Sequence, residues 1–151
     1  MIVHLDHTNP ETAAKLLKVQ IPAYRMEAER IKFDGIPPLH DTVESIQGSR
    51  ESFFGYLENG LLLGALAYEQ TNDRYVLSRL FVGPAYFRQG IASSLLQFFL
   101  HEIVRESKPV TVTTGTANLP AISFYEKWGF TKIKEIPVAQ GVSLAMLQTI
   151  R

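Results

Sequence analysis

Leu80-Phe81-Val82-Gly83-Pro84-Ala85-Tyr86-Phe87-Arg88-Gln89-Gly90-Ile91-Ala92-Ser93 is the stretch on which the reading of this chain turns. Apolar residues end a strand, Gly83-Pro84 closes it, and a glycine-bearing turn leads into a helix that starts on small residues. Beyond the turn, Ala92, Leu95, Leu96, Phe99 and Ile103 recur at helical spacing and mark one buried face. Such a turn leaves backbone N–H groups free at a helix N-terminus, an arrangement that receives phosphate. Gly90 lets the backbone approach a pyrophosphate, Ala92 and Ser93 keep the first turn uncrowded, and Arg88 and Gln89 add side-chain donors. A helix dipole contributes only about 0.3–1 kcal/mol at an exposed end, so several N–H groups must act together. Taken alone, the stretch fits an ordinary strand–helix connection equally well. It contains neither a P-loop nor a G-x-G-x-x-G dinucleotide fingerprint.

Upstream, Ile2–Leu5 reads as a short strand and residues 11–31 as a helix, with Ala14, Leu17 and Ile21 on one face. Pro22 is expected to break or kink that helix, because it lacks an N–H and clashes with the preceding turn. Phe33-Asp34-Gly35-Ile36-Pro37-Pro38 reads as a loop, and residues 41–47 as a short helix. Residues 52–57, Leu61–Gln70 and Tyr75–Val82 form a meander whose first turn is Asn59-Gly60, a strong hairpin signal. Downstream, Pro109 ends the helix and residues 110–114 form a β-branched strand. Asn118 caps the next helix, Pro120 sits in its first turn, and Ala121, Phe124, Tyr125 and Trp128 form its apolar stripe. Gly129 supplies the left-handed residue that ends it, and residues 130–136 and 142–147 are two closing strands. The expected fold is α/β (α+β), a mixed, partly antiparallel central sheet flanked by helices, in a single domain over 1–151.

Fifteen basic and fifteen acidic residues cancel, which gives no basic footprint for nucleic acid or an anionic membrane. No apolar run is long enough to span a bilayer, and the N-terminus lacks the basic flank and apolar core of a secretory signal. Cysteine is absent, which excludes disulfides, thiolate metal sites and a cysteine nucleophile. The four histidines (His4, His7, His40 and His101) lack the spacing of a metal pair, so no metal is expected. A soluble, cytoplasmic protein is the expectation. Exposed apolar positions on the last strands are compatible with a homodimer.

Phe87-Arg88-Gln89-Gly90-Ile91-Ala92 resembles the acetyl-CoA-binding motif of the GNAT N-acetyltransferases, in which Gln or Arg precedes a glycine by three and a small residue by five. The glycine and the small residue match, and Phe87 departs from the first position. The run Asn118…Ala121…Phe124-Tyr125-Glu126-Lys127…Gly129-Phe130 resembles the second signature of that superfamily. The likeness spans residues 61 to 150. It implies that the amides of residues 88–93, thus Arg88, Gln89, Gly90, Ile91, Ala92 and Ser93, hold the CoA pyrophosphate. It further implies that Phe81 and Val82 offer backbone hydrogen bonds to the pantetheine arm. Asn118 would contact that arm, and Tyr125 would protonate the departing thiolate. Read locally, Asn118 is a helix cap and Tyr125 a core aromatic. Unperturbed Tyr titrates near ~10 and a thiol near ~8.5, so Tyr125 has to assist departure within the site.

The resemblance thus implies an acetyl-CoA-dependent N-acetyltransferase acting on a primary amine of a small molecule or protein. The alternative is a non-catalytic acyl-CoA sensor or partner protein that keeps the cradle without the chemistry. No base for the amine is evident; Glu27, Glu44 and Glu69 are candidates. The acceptor is expected against residues 24–42, where Tyr24, Glu27, Asp34, His40 and Asp41 lie beside Ile36 and Leu39. That set suggests an acidic, partly aromatic pocket for a cationic amine, with Tyr24 and Glu27 as substrate-binding residues.

Overall fold

The computed structural model describes residues 1–150. Its organising element is the strand β4 (Tyr75–Val82), whose alternation changes phase at Ser78. Tyr75 and Leu77 point into the larger apolar cluster, as do Leu80 and Val82, while Phe81 joins the cluster on the opposite face. An unbroken strand puts residues 75, 77, 79 and 81 on one face. A β-bulge makes the switch. On β3 (Leu61–Gln70), Ala67 faces Arg79 and the next residue, Tyr68, faces Leu77, which leaves Ser78 extra. The Ser78 hydroxyl donates to the Ala67 carbonyl (3.1 Å) and to the Glu51 carboxylate.

The bulge falls where β4 leaves its other neighbour. The strand β5 (Pro109–Gly115) runs parallel to β4 and pairs with it only at Tyr75–Val110, Val76–Thr111 and Leu77–Val112. Past that point β4 stays on β3 while β5 stays on β7 (Val142–Ile150), so the two strands splay apart. With β1 (Ile2–Leu5), β2 (Ser52–Glu58) and β6 (Thr131–Ala139), the sheet has the order β1-β2-β3-β4-β5-β7-β6. Every neighbouring pair except β4/β5 is antiparallel. The mixed, partly antiparallel sheet flanked by helices that the sequence predicts is observed, and it is mostly antiparallel.

Helices cover both faces. α1 (Pro10–Ile31) and α2 (Val43–Gln47) pack Leu16 and Ile46 against Phe53, Ala65 and Phe81. α3 (Ile91–Phe98) and α4 (Leu119–Lys127) pack Leu95, Leu96 and Tyr125 against Leu66, Leu77 and Val110 on the other face. Contrary to expectation, α1 runs unbroken through Pro22. Pro22 is exposed, so the Lys18 carbonyl that it leaves without a donor is open to water. The stripe α1 buries is Ala13, Leu16, Gln20, Ala28 and Ile31, whereas Ala14 is exposed. α3 passes into one π turn, Phe99–Ile103, in which the Val104 N–H reaches the Phe99 carbonyl at 3.0 Å. The wider turn brings Leu100 inward beside Phe99 and leaves Ile103 only partly covered. The prolines of the 33–42 loop form a 3-10 turn, Pro37–His40, because their preset φ suits it.

Candidate active site

Three compartments follow one another along the splay between β4 and β5. A cavity of about 390 Å³ lies between β4 and the start of α3, closed by Pro120, Ala121 and Phe124 of α4. A narrower waist of about 180 Å³ runs past Tyr24, Glu27, Thr114, Asn118 and Tyr125. A chamber of about 420 Å³ follows, walled by α1, residues 36–38, Arg79 and the end of β5. Leu80, Phe81, Val82, Phe87 and Ala121 are common to the first two, and Tyr24, Glu27, Ser78, Arg79 and Thr114 to the last two. The compartments form one continuous groove.

The first compartment is a backbone cradle. Gly90 is the N-cap of α3, at φ 74° and ψ 15°, and no side chain caps the helix. The Ser94 N–H already binds the Gly90 carbonyl (3.0 Å), so the N–H groups of Ile91, Ala92 and Ser93 lack an intrahelical acceptor. Arg88 is also left-handed, at φ 66°, a conformation that costs a non-glycine residue roughly 1–2 kcal/mol. Left-handed residues on both sides of Gln89 curl the peptide N–H groups into a concave nest suited to an anion. A Cβ on Gly90 would meet nothing within 4 Å, so its glycine answers to backbone angle and the space above it is open. Arg88, Gly90, Ile91, Ala92 and Ser93 line this compartment, while Gln89 is exposed and lines none of the three.

At the waist, β4 offers its free edge. The Leu80 N–H donates to the Tyr24 hydroxyl (3.3 Å), so by alternation the backbone groups of Leu80 and Val82 face the gap. Phe81 lines the groove but turns its carbonyl to β3, within 2.7 Å of where a Cβ on Gly64 would sit. The backbone groups free at the gap are therefore those of Leu80 and Val82, while the Phe81 carbonyl is turned to β3. Across the gap, Tyr125 is 7% exposed and packs its ring on Phe124 and Phe130, at centroid distances of 5.2 and 5.4 Å. Its hydroxyl has no hydrogen-bond partner among the described residues and is not sealed from the groove. Burial pushes the Tyr125 phenol far above its ordinary value, and the nearby Tyr24 and Glu27 add to the rise. Tyr24 is raised in the same way, chiefly by burial and then by Glu27. Both phenols stay protonated at working pH.

Glu27 reaches the waist from α1. One carboxylate oxygen, Oε1, accepts from Thr114 Oγ1 (2.7 Å) and Asn118 Nδ2 (3.2 Å). Asn118 also caps α4, accepting from the Ala121 N–H (3.4 Å), so both ends of its amide are engaged within the protein. Of the three candidate bases only Glu27 lines the groove; Glu44 and Glu69 are exposed elsewhere. Asp41 and Ile36 line the far chamber, while Asp34 and Leu39 border a separate hollow and His40 hydrogen-bonds the Asp34 carbonyl. Sequence reasoning missed Thr114 and the buried Arg79. The adjacent polar pair Ser78-Arg79 inside an apolar strand was the available signal for Arg79. No helix among the described residues is long and apolar enough to cross a membrane, and no cluster of three or more His, Asp or Glu side chains suited to a metal occurs among them.

A splayed parallel pair with an anion nest at one end and a protonated phenol beside a free strand edge in the middle defines a domain built to hold an extended, phosphate-bearing ligand. The family model described as an acetyltransferase (GNAT) domain matches residues 20–149, and the chain belongs to the GNAT acetyltransferase family. UPF0157 protein YqkA of Bacillus subtilis (strain 168) is 42% identical over 146 residues, covering 97% of this chain but 42% of that protein. The chain thus spans less than half the length of that relative. The ribosomal protein bS18 alanine N-acetyltransferase of Escherichia coli (strain K12) is 28% identical over 123 residues, 80% of this chain and 81% of that protein. The crystal structure of the ribosomal-protein-S18-alanine N-acetyltransferase from Escherichia coli superposes with a TM-score of 0.77 at 19% identity, covering 99% of this chain and 92% of that one. An aminoglycoside 6'-N-acetyltransferase complexed with coenzyme A gives 0.73 at 16% identity, covering 99% and 96%. At those identities the structural likeness shows the fold.

Proposed function

We propose that this chain transfers the acetyl group of acetyl-CoA to a primary amine. The observation that carries the reading is the continuity of the groove, which joins the nest at residues 88–93 to the waist where Tyr125 and Glu27 meet. Acetyl-CoA fits this groove: its pyrophosphate matches the free N–H groups of Ile91, Ala92 and Ser93, with the Arg88 side chain and the Gln89 amide at the rim. Its pantetheine arm runs along the open edge of Leu80 and Val82, with Asn118 opposite. When bound, acetyl-CoA supplies the thioester whose carbonyl an amine attacks.

The residues at the waist suit that reaction. The Val82 N–H faces the gap and holds the oxyanion that develops on the carbonyl. Burial makes the Tyr125 phenol a poorer acid than free tyrosine, so it acts by hydrogen-bonding the sulfur as the thiolate departs. Tyr24 and Glu27 receive the acceptor from the far chamber. The relatives' names concern an alanine amine and an aminoglycoside amine, both consistent with a primary amine, small or on a protein.

Calorimetric titration with acetyl-CoA tests the reading. Wild-type protein is expected to bind, and Gly90→Val to weaken binding at least tenfold by straining the φ of 74° and filling the cradle. A folded wild-type protein that takes up no acetyl-CoA would overturn it. Thiol release on adding an amine separates a transferase from a protein that only binds acyl-CoA.

A further inference from the structure

We propose that Glu27 is the group that takes the proton from the attacking amine, and that Thr114 and Asn118 are positioning residues that aim it. This rests on the acetyl-transfer reading above. The Glu27 carboxylate is partly buried at the junction of waist and chamber, and no Lys, Arg or His lies within ion-pair distance of it among the described residues. Its neighbours in the chamber differ. Asp41 and Glu51 both hold the Arg79 guanidinium, at 2.6 and 2.8 Å, and that guanidinium also donates to Gln20. Arg79 is therefore saturated, and Glu27 is the carboxylate left without a cation.

The hydrogen bonds on Glu27 are one-sided. Thr114 Oγ1 and Asn118 Nδ2 both donate to Oε1, and they lie 3.5 Å from each other, closing a triangle. Oε2 has no partner among the described residues. Thr114 is buried on β5, and Asn118 is fixed by its cap on α4, so a strand and a helix hold one oxygen of a side chain that arrives from a third element. Oε2 is not sealed off, so it is open to the groove and free to accept from a ligand's N–H. The ionisable groups around it are Tyr24 on its own helix, Tyr125 on α4 and the saturated Arg79 on β4; both phenols are held neutral by burial.

The step balances. The amine attacks in its neutral form, the C–N bond forms and the carbonyl π pair moves to oxygen. Once bonded to the acyl carbon the nitrogen becomes strongly acidic, and Glu27 Oε2 takes its proton. The oxyanion pair re-forms the carbonyl, the C–S bond breaks, and its electron pair leaves on sulfur as a thiolate that the Tyr125 hydroxyl hydrogen-bonds. Glu27 gives its proton up to solvent, and the thiolate takes one from solvent on release. The products are the amide and free coenzyme A.

The test uses a bisubstrate probe, coenzyme A joined through an S-acetyl link to ethylenediamine, titrated beside acetyl-CoA. In Glu27→Gln, Thr114 and Asn118 hold the single amide oxygen and turn the Nε2 donor toward the probe's own N–H. The wild type is expected to bind the probe at least tenfold more tightly than acetyl-CoA. Glu27→Gln and the isosteric Thr114→Val lose most of that gain while acetyl-CoA affinity stays within about twofold, and Thr114→Ser restores it. In thiol-release assays with ethylenediamine, Glu27→Gln lowers kcat by about 10²–10⁴-fold. An unchanged gain in Glu27→Gln and Thr114→Val overturns the proposal alone. Binding of neither compound by the wild type overturns it together with the acetyl-transfer reading.

Discussion

Arg79 binds Glu51 through two nitrogens, with Nε 3.0 Å from Oε2 and Nη2 2.8 Å from Oε1. Its remaining nitrogen, Nη1, turns to Asp41 Oδ2 (2.6 Å) and Gln20 Oε1 (3.0 Å). One guanidinium thereby ties β4 to the start of β2, to α1 and to the segment before α2. It also lies 5.2 Å from the Phe53 ring centroid, in cation–π contact. Truncating one partner of a buried pair strands the other charges, which typically costs about 3–5 kcal/mol. Arg79→Ala is expected to lose that much in urea unfolding, and to melt lower by roughly 2–4 °C per kcal/mol. A loss under 1 kcal/mol would mean that the network is decorative.

The same pair sets a pH dependence. Burial alone would raise the Glu51 carboxyl, but hydrogen bonds from Arg79, Ser78 and Ser49, with the charge of Arg79, outweigh it and hold the group below the usual 4.5. A depressed folded value stabilises the protein fully above the unfolded value, and that stabilisation is lost as pH falls through the folded one. The unfolding free energy should therefore decline below about pH 4.5, and decline less steeply in Glu51→Gln. Equal slopes in the two proteins would show that other carboxylates govern acid unfolding.

Tyr125→Phe removes a hydroxyl that has no partner among the described residues, so no internal hydrogen bond is lost and the melting temperature should hardly move. If the phenol assists thiolate departure, kcat falls by about 10²-fold or more while acetyl-CoA affinity is retained. Because burial keeps the phenol protonated, Tyr125 imposes no alkaline loss of activity near neutral pH. Unaltered kcat with a rate-limiting chemical step would remove Tyr125 from the mechanism.

Local signals made most of the frame legible. Asn59-Gly60 fixed a hairpin, Gly129 at φ 90° ended α4 with Phe130 buried beyond it, and the turn around Gly90 joined β4 to α3 where a strand–helix connection was expected. The features that escaped depend on partners distant in sequence. Glu27 and Thr114 stand 87 residues apart, and neither has a local pattern that marks it as half of a pair. The buried face of α1 was displaced because Gln20, a polar residue, occupies an inward position to bind Arg79. The π turn at Phe99 follows from packing against the sheet and leaves no mark on the apolar spacing.

The bulge at Ser78 has the largest structural consequence of these features. Deleting Ser78 would restore unbroken alternation along β4. Tyr75, Leu77, Leu80 and Val82 would then stay on the face of Leu66, Leu95 and Leu96, with Arg79 and Phe81 on the other, and the pairing with β3 would run on without a step. The deletion is therefore expected to fold cooperatively, and to bind acetyl-CoA more weakly because β4 no longer bends away from β5 at residue 78. Ser78→Ala keeps the extra residue and loses only the hydroxyl bonds to the Ala67 carbonyl and Glu51, so it should fold with a loss of about 1–3 kcal/mol. Urea unfolding together with acetyl-CoA titration of both variants separates the two roles. If the deletion variant folded and bound acetyl-CoA as tightly as the wild type, the bulge could not be what parts β4 from β5 to open the groove.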